Sequence, residues 1–268
     1  MAVMEPVLGG EARDVLSLQI GAYRSRLALS DRDIARGLVL RQRLFRNTAA
    51  VSDADGYDAR CHHVLIETTA GELLACFRLL PLPGGASILT SYSAQFYDLA
   101  ALVDYPGPVL ELGRFCVDPD VHDPDVLRIA WAAMTRFVDA TGTRLLFGCS
   151  SFAGADSTAH SQALAYLGHR HLAPPQWRPG KKPGQGVALP EIGEISDRAV
   201  SGIPPLLRTY LAMGGWVSDH AVPDSDLDTL HVFTGVEIDR IPAARARALR
   251  ALASVSYTHL TLPTNREV

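Results

Sequence analysis

Lysine is almost missing from this sequence. Lys181 and Lys182 are the only two among 25 basic residues, so nearly all positive charge is arginine. A guanidinium is a planar, permanently charged fork suited to bidentate contacts with carboxylates and phosphates. The formal net charge is −4, which disfavours a general nucleic-acid binder. No stretch of about 18 uncharged apolar residues occurs, so no transmembrane helix is expected. The richest apolar run, Val126 to Val138, is interrupted by Arg128 and Arg136. The first residues carry acids and lack the apolar core of a secretory signal. The four cysteines, Cys61, Cys76, Cys116 and Cys149, show neither a CxxC pair nor zinc-ligand spacing. They read as buried free thiols of a reducing compartment, so a cytoplasmic location is expected. His122, His160, His169 and His171 make no coherent metal set, and no metal site is expected. The absence of a G-x-S-x-G elbow removes a serine-hydrolase reading.

What is present suits a folded α/β chain. Apolar residues make up 47% and charged residues 20% of the 268, which excludes disorder of the whole chain. Val15 to Tyr23 reads as a first strand. Ser30, with Asp33 three residues later, caps a helix. Ile34, Leu38 and Phe45 form its apolar face, widened by Leu40 and Leu44. Arg32, Arg36, Arg41, Arg43 and Arg46 are expected on its solvent side. His63 to Thr69 and Leu73 to Leu82 form a hairpin closed by Ala70-Gly71-Glu72. The segment Pro83 to Tyr105 has no clear period. Val109 to Val117 is a strand ended by Asp118-Pro119, followed by a helix from Asp125 to Ala140 and a strand from Arg144 to Ser150. That order is a βαβ unit, which predicts parallel strands with a right-handed crossover. A helix over Thr158 to Gly168 precedes a Pro/Gly-rich loop, 173–193. Then come a helix at Pro205 to Met213, strands at Gly215 to Val222 and Thr229 to Ile238, and a helix at Pro242 to Ala253. The expected organisation is one domain over 15–253, with a core of about 15–170 and a C-terminal half-domain of about 200–253. Residues 254–268 have no period and read as a non-native tail.

One carboxylate stands out. Glu111 lies between Leu110 and Leu112 in an apolar strand, where burial would raise its pKa toward that of a useful base. The competing readings are an ion pair with Arg114 or a solvent-facing position. In a regular strand Arg114 faces away from Glu111, and a bulge at Gly113 would change that. Arg114 reads either as a contact to substrate or as a scaffold salt bridge. Ser150 and Ser151 end a strand, where α/β sites often lie. They read as contacts to acceptor or donor, or as a plain strand-to-helix turn. Asp156 reads as a helix cap.

The segments ELGRFCVDP, Glu111 to Pro119, and LLFGCSSFAGAD, Leu145 to Asp156, resemble the ornithine-acyl-carrier-protein N-acyltransferases, sometimes labelled hemolysin-like. RQRLF (Arg41 to Phe45), FRLL (Phe77 to Leu80) and PPLLRTYLAMGGWVSDHAV (Pro204 to Val222) extend the likeness over roughly 15 to 240. The resemblance implies a GNAT-like acyltransferase fold, α/β with a mixed, partly parallel sheet flanked by helices, related to the acyl-homoserine-lactone synthases. It implies transfer of a (3-hydroxy)acyl chain from acyl carrier protein to the α-amine of ornithine, giving lyso-ornithine lipid. No bound cofactor is implied; acyl-ACP, or acyl-CoA, is the donor substrate. Glu111 and Arg114 are then the catalytic positions, and Cys116, Val117, Ser150 and Ser151 the donor-contacting ones. The arginines of the first helix, with Arg240, Arg245, Arg247 and Arg250, would face acidic acyl carrier protein or the inner membrane as a peripheral contact. The pyrophosphate loop Q/R-x-x-G-x-G/A of other GNAT enzymes is absent, since Asp118 to Val126 holds four aspartates and no glycine. The alternatives are acylation of another amine, as in acyl-homoserine-lactone synthesis, a non-catalytic acyl-binding module, or a membrane-lysing protein.

Overall fold

The computed structural model describes residues 9–46, 52–191, 196 and 199–254. The chain opens with helix α1 (Gly9–Leu16), followed by the short strand β1 (Leu18–Ile20) and β2 (Tyr23–Leu27). A single first strand over Val15 to Tyr23 is therefore incorrect. Ala12 and Leu16 are one helical turn apart and both fully buried in the main core, and Gly21 turns the chain with φ +56°. Helix α2 (Asp31–Arg41) starts as expected: Ser30 Oγ accepts from Asp33 N, and Asp33 Oδ2 accepts from Leu29 N. A π-helical turn, Gln42–Arg46, extends it.

The hairpin β3 (His62–Thr68) and β4 (Leu73–Leu82) is closed with Gly71 at φ +94°. The segment after it carries three 3-10 turns and β5 (Tyr97–Asp98). Strand β6 (Val109–Val117), helix α3 (Pro124–Thr141) and β7 (Leu145–Ala153) are the expected βαβ unit. Asp123 caps the helix start and Gly142, left-handed, ends it. Then come α4 (Ser161–Arg170), β8 (Gly180–Lys181), β9 (Val187–Ala188), α5 (Pro205–Ala212), β10 (Trp216–Asp224), β11 (Thr229–Glu237) and α6 (Ala243–Ser254). Asp156 accepts from Thr158 N before α4, as a cap should. Of the expected tail only Ser254 is described, and it closes α6.

Nine strands form one sheet in the order β1-β2-β3-β4-β6-β7-β11-β10-β9, while β5 pairs with β8 alone. All neighbours in the large sheet are antiparallel except β6 and β7. That parallel contact covers only Val109 to Glu111 against Leu145 to Phe147. The main core lies on the face covered by α1, α3, α4, α5 and α6. The opposite face is covered by α2 at one end and by the 3-10 segment after β4 at the other.

Arg32 is exposed as expected, but the other four arginines of α2 and the turn after it are paired with acids rather than free. Arg41 is only 2% exposed and pairs with Asp53 and Asp58. Arg36 reaches the buried Glu67 at 2.5 Å, Arg43 pairs with Asp118, and Arg46 pairs with Asp226. The buried Asp53 and Glu67 and the nearly buried Asp58 draw Arg41 and Arg36 inward, while Arg43 and Arg46 reach Asp118 and the exposed Asp226 nearer the surface. The helical period alone could not register those partners. Among the described residues no helix is long and apolar enough to cross a membrane.

Candidate active site

The site is built around an irregularity in β6. Opposite β4, Cys76 pairs with Cys116 but Arg78 pairs with Gly113, so β6 carries one extra residue between them. This β-bulge falls at Arg114 and Phe115, one step beyond the position the sequence suggested. Arg114 takes φ +51°, a left-handed conformation that costs a non-glycine residue roughly 1–2 kcal/mol. Its guanidinium is gripped in compensation: Nε donates to Asp53 Oδ2 at 3.0 Å, Asp55 lies at 3.5 Å, and the group sits over the Tyr92 ring at 4.9 Å. The bulge brings Arg114 into the same cleft as Glu111.

Glu111 is 4% exposed and does not pair with Arg114. Its Oε1 accepts from Ser93 N at 2.7 Å and Ser93 Oγ at 2.6 Å, and its Oε2 accepts from Tyr92 N at 2.8 Å. An ionised carboxylate offers about four lone-pair sites, so Oε2 keeps capacity for one more donor. Burial pushes the Glu111 carboxyl above its ordinary value, while the Ser93 and Tyr92 hydrogen bonds oppose that rise. Cys149 donates to Ser93 Oγ at 3.5 Å. Burial pushes its thiol up to about 12, so it stands as a neutral thiol.

Beneath the cleft lies a charge network. Arg78 holds Asp55 and Asp58 at 2.7 Å each, and Arg41 holds Asp53 at 2.8 Å and Asp58 at 2.7 Å. Burial is the largest influence on Asp58 and opposes its ionisation, but the hydrogen bonds from Arg41 and Asp55 N and the charges of Arg41 and Arg78 together outweigh it and leave the carboxyl at about 2. With Arg46 on Asp226, the four arginines meet four aspartates, and the network is neutral as a whole. Two acids that line the cleft, Glu111 and Asp224, have no ion pair among the described residues.

The cleft opens to solvent and sits where β6 and β7 part. Beyond Glu111 and Phe147 the facing edges of these strands have no ladder partner. Gly148 sits at the parting point, where a Cβ would meet the Leu112 carbonyl at 2.4 Å. Only a glycine lets β7 pass this close to β6. A small space lined by Leu112, Leu146, Tyr210 and Val236 adjoins the gap. An apolar pocket between α3 and α6 shares Leu146 and Val236 with it.

Of the residues singled out in the sequence, Glu111, Arg114, Ser150 and Ser151 line one cleft. Ser150 Oγ accepts from Thr234 Oγ1 at 2.9 Å, and Ser151 is exposed. Cys116 and Val117 do not line it. The Cys116 side chain turns under α2, with Sγ 3.4 Å from Cys76 Sγ, and Val117 packs on the main core. Sequence reasoning missed Asp53, Asp55, Asp58, Arg78, Tyr92, Ser93, Asp224, Thr229 and His231. The spacing of the three aspartates before β3 was a usable signal; the segment holding Tyr92 and Ser93 gave none.

Residues 38–132 match the family model described as an acetyltransferase (GNAT) domain. The chain is 36% identical over 187 residues to an L-ornithine N(alpha)-acyltransferase of Rhodobacter capsulatus, a match covering 67% of this chain and 72% of that protein. It is 31% identical over 244 residues to an L-ornithine N(alpha)-acyltransferase of Brucella abortus, covering 83% and 87%. Among solved structures it is similar to FeeM, an N-acyl amino acid synthase from uncultured soil microbes. That likeness has 10% identity, 87% and 97% coverage, and a TM-score of 0.42.

Proposed function

This chain belongs to the family of L-ornithine N(alpha)-acyltransferases, and we propose that it transfers an acyl chain from a thioester donor to the α-amine of ornithine. The observation that carries the reading is the bulged, parted strand β6, which sets Glu111 and Arg114 in one cleft. Glu111 Oε2 takes a proton from the α-ammonium of ornithine, and the neutral amine attacks the thioester carbonyl carbon. Backbone N–H groups on the unpaired edge of β6 stabilise the oxyanion. The attacking nitrogen then loses a second proton to solvent, and collapse of the tetrahedral intermediate forms the amide, breaks the C–S bond and passes the proton held by Glu111 to the leaving thiolate. Arg114 faces the acceptor carboxylate, and Ser150 and Ser151 border the donor. The experiment is turnover by purified protein with an acyl thioester and ornithine, read as the N-acyl product by mass spectrometry. Absence of product from folded protein, across donors and amino acids, would sink the reading.

A carrier-protein donor, with a 3-hydroxyacyl chain, suits the loop before α3. A CoA pyrophosphate would meet Asp118, Asp120, Asp123 and Asp125 there, and Asp123 already caps the helix N-terminus. The same acyl group is expected to react at least about tenfold faster from carrier protein than from CoA, a difference of about 1.4 kcal/mol. Equal rates would remove the carrier-protein assignment.

The gap between β6 and β7 supports a path for the acyl chain toward the apolar pocket between α3 and α6. Leu249 lines the far end of that pocket and is half-buried. Leu249→Trp would deny space to the last two or three methylenes, each contributing about 0.8 kcal/mol. Long-chain donors should then lose about tenfold or more in kcat/KM, with short-chain donors unaffected. A uniform loss at all chain lengths would argue for another path.

A further inference from the structure

At the end of the cleft formed by β10 and β11, two buried acceptors stand without partners beside a carboxylate with an oxygen to spare. Asp224 is 8% exposed. Its Oδ1 accepts from Asp226 N at 3.0 Å and Leu227 N at 3.2 Å, which holds the turn between the strands. No hydrogen bond to its Oδ2 and no basic side chain paired with it occur among the described residues. Thr229, the cross-strand neighbour of Asp224, has a buried Oγ1 with no partner. His231 follows two residues later on the same face, and its Nε2 is likewise buried and unpaired. All three line the cleft that holds Glu111.

The tautomer of His231 follows from Tyr97. The Tyr97 hydroxyl lies 2.9 Å from the His231 carbonyl oxygen and 2.9 Å from His231 Nδ1. A carbonyl can only accept, so the single hydroxyl proton points to it. Nδ1 must then carry the hydrogen shared with Tyr97 Oη. Nε2 is left with a lone pair. Burial holds the ring pKa down at about 4, which keeps the imidazole neutral near pH 7.

A carboxylate oxygen, a hydroxyl and an imidazole nitrogen thus offer three acceptors and one negative charge without an ion-pair partner among the described residues. A primary ammonium has three donors, no acceptor and one positive charge. The arginine network is already neutral, and although Arg46 stands in the field of Asp224, no basic side chain forms an ion pair with it among the described residues. Cys149 joins the two regions: its thiol touches Ser93 beside Glu111, and it stands in the field of both Glu111 and Asp224.

We propose that Asp224, Thr229 and His231 form the seat for the side-chain ammonium of a diamino-acid acceptor and select it over amino acids without that group. This rests on the acyltransfer reading above and names the part of the site that reads the acceptor. A seat built from buried hydrogen-bonding groups discriminates strongly, because an analogue lacking the partner leaves those groups unsatisfied.

The test compares ornithine with norvaline, the same chain without the terminal amine, using purified full-length protein. Asp224→Asn keeps an acceptor for the Asp226 and Leu227 amides but removes the charge. It should lower kcat/KM for ornithine by about 30-fold or more and leave norvaline within about twofold. Thr229→Val, of matched shape, should lower the ornithine value several-fold and spare norvaline. Equal losses on both substrates, or none on either, would overturn the seat. Donor-free calorimetric titration separates this from the acyltransfer reading. If no amino acid is acylated but ornithine binds more tightly than norvaline and Asp224→Asn erases the difference, the seat stands and that reading falls. If the unmutated protein discriminates neither in turnover nor in binding, the seat is wrong.

Discussion

Glu111→Gln is expected to lower kcat by about a hundredfold to ten-thousandfold, the range typical of losing a positioned general base. The substitution also has a structural consequence. A Gln can still accept from Ser93 through its one carbonyl oxygen, but its amide then turns toward the Tyr92 N–H, donor against donor. A fall in activity could therefore arise from a displaced loop. Ser93→Ala separates the two causes. The Ser93 hydroxyl bond favours the ionised form of Glu111 and opposes the rise imposed by burial. Deleting the hydroxyl keeps both backbone donors and should push the Glu111 pKa higher still. Because the base works only when deprotonated, activity rises with pH through this pKa. The acid limb of kcat/KM should then start above the ordinary carboxylate range and move further toward alkaline pH in Ser93→Ala. Glu111→Gln should remain poor at every pH. If the Ser93→Ala limb stayed where it is in the unmutated protein, Glu111 would be only a loop anchor.

The legible parts were those whose determinants are close in sequence. Strand β6 was bounded correctly because an apolar run ends at Asp118-Pro119, and α3 (Pro124–Thr141) was placed to within one residue at each end, its stop marked by Gly142. The β3–β4 hairpin followed from Gly71. Glu111 was visible as a lone carboxylate among leucines. What failed depends on partners distant in the chain. Whether β6 bulges is decided by its register against β4, 40 residues away for Cys76 and Cys116. Arg41 looked like a solvent-facing position because the helical period cannot register Asp53 and Asp58. These aspartates sit in a polar stretch that reads as a surface loop. Tyr92 and Ser93 lie where no period survives, so the anchor of Glu111 was invisible. The N-terminal miss has another cause. Val15 to Ile20 is a short run in which helix and strand patterns overlap, and packing of α1 on α3 decided it.

The same long-range partners make one further residue decisive for stability. Asp53→Asn is expected to destabilise the protein by about 3–5 kcal/mol, the usual consequence of leaving buried charge uncompensated. Asp53 is fully buried. Its Oδ2 accepts from Arg41 Nε at 2.8 Å and from Arg114 Nε at 3.0 Å, and Arg46 lies 3.4 Å from its Oδ1. An Asn has nearly the same shape, so the change removes charge without opening a cavity. Arg41 retains Asp58, but Arg114 is left with Asp55 at 3.5 Å. Against a total stability of about 5–15 kcal/mol, the loss should lower Tm by roughly 10 °C or more. Arg43→Ala breaks the Arg43–Asp118 pair, in which Arg43 is 55% exposed, and should change stability by no more than about 1 kcal/mol. The contrast between the two variants tests burial rather than ion-pair number. The left-handed backbone at Arg114 persists only while its guanidinium is held, so kcat should also fall in Asp53→Asn below its unfolding transition. A Tm within about 2 °C of the unmutated protein would mean that the network is not what holds the bulge. The placement of Arg114 in the cleft would then need another cause.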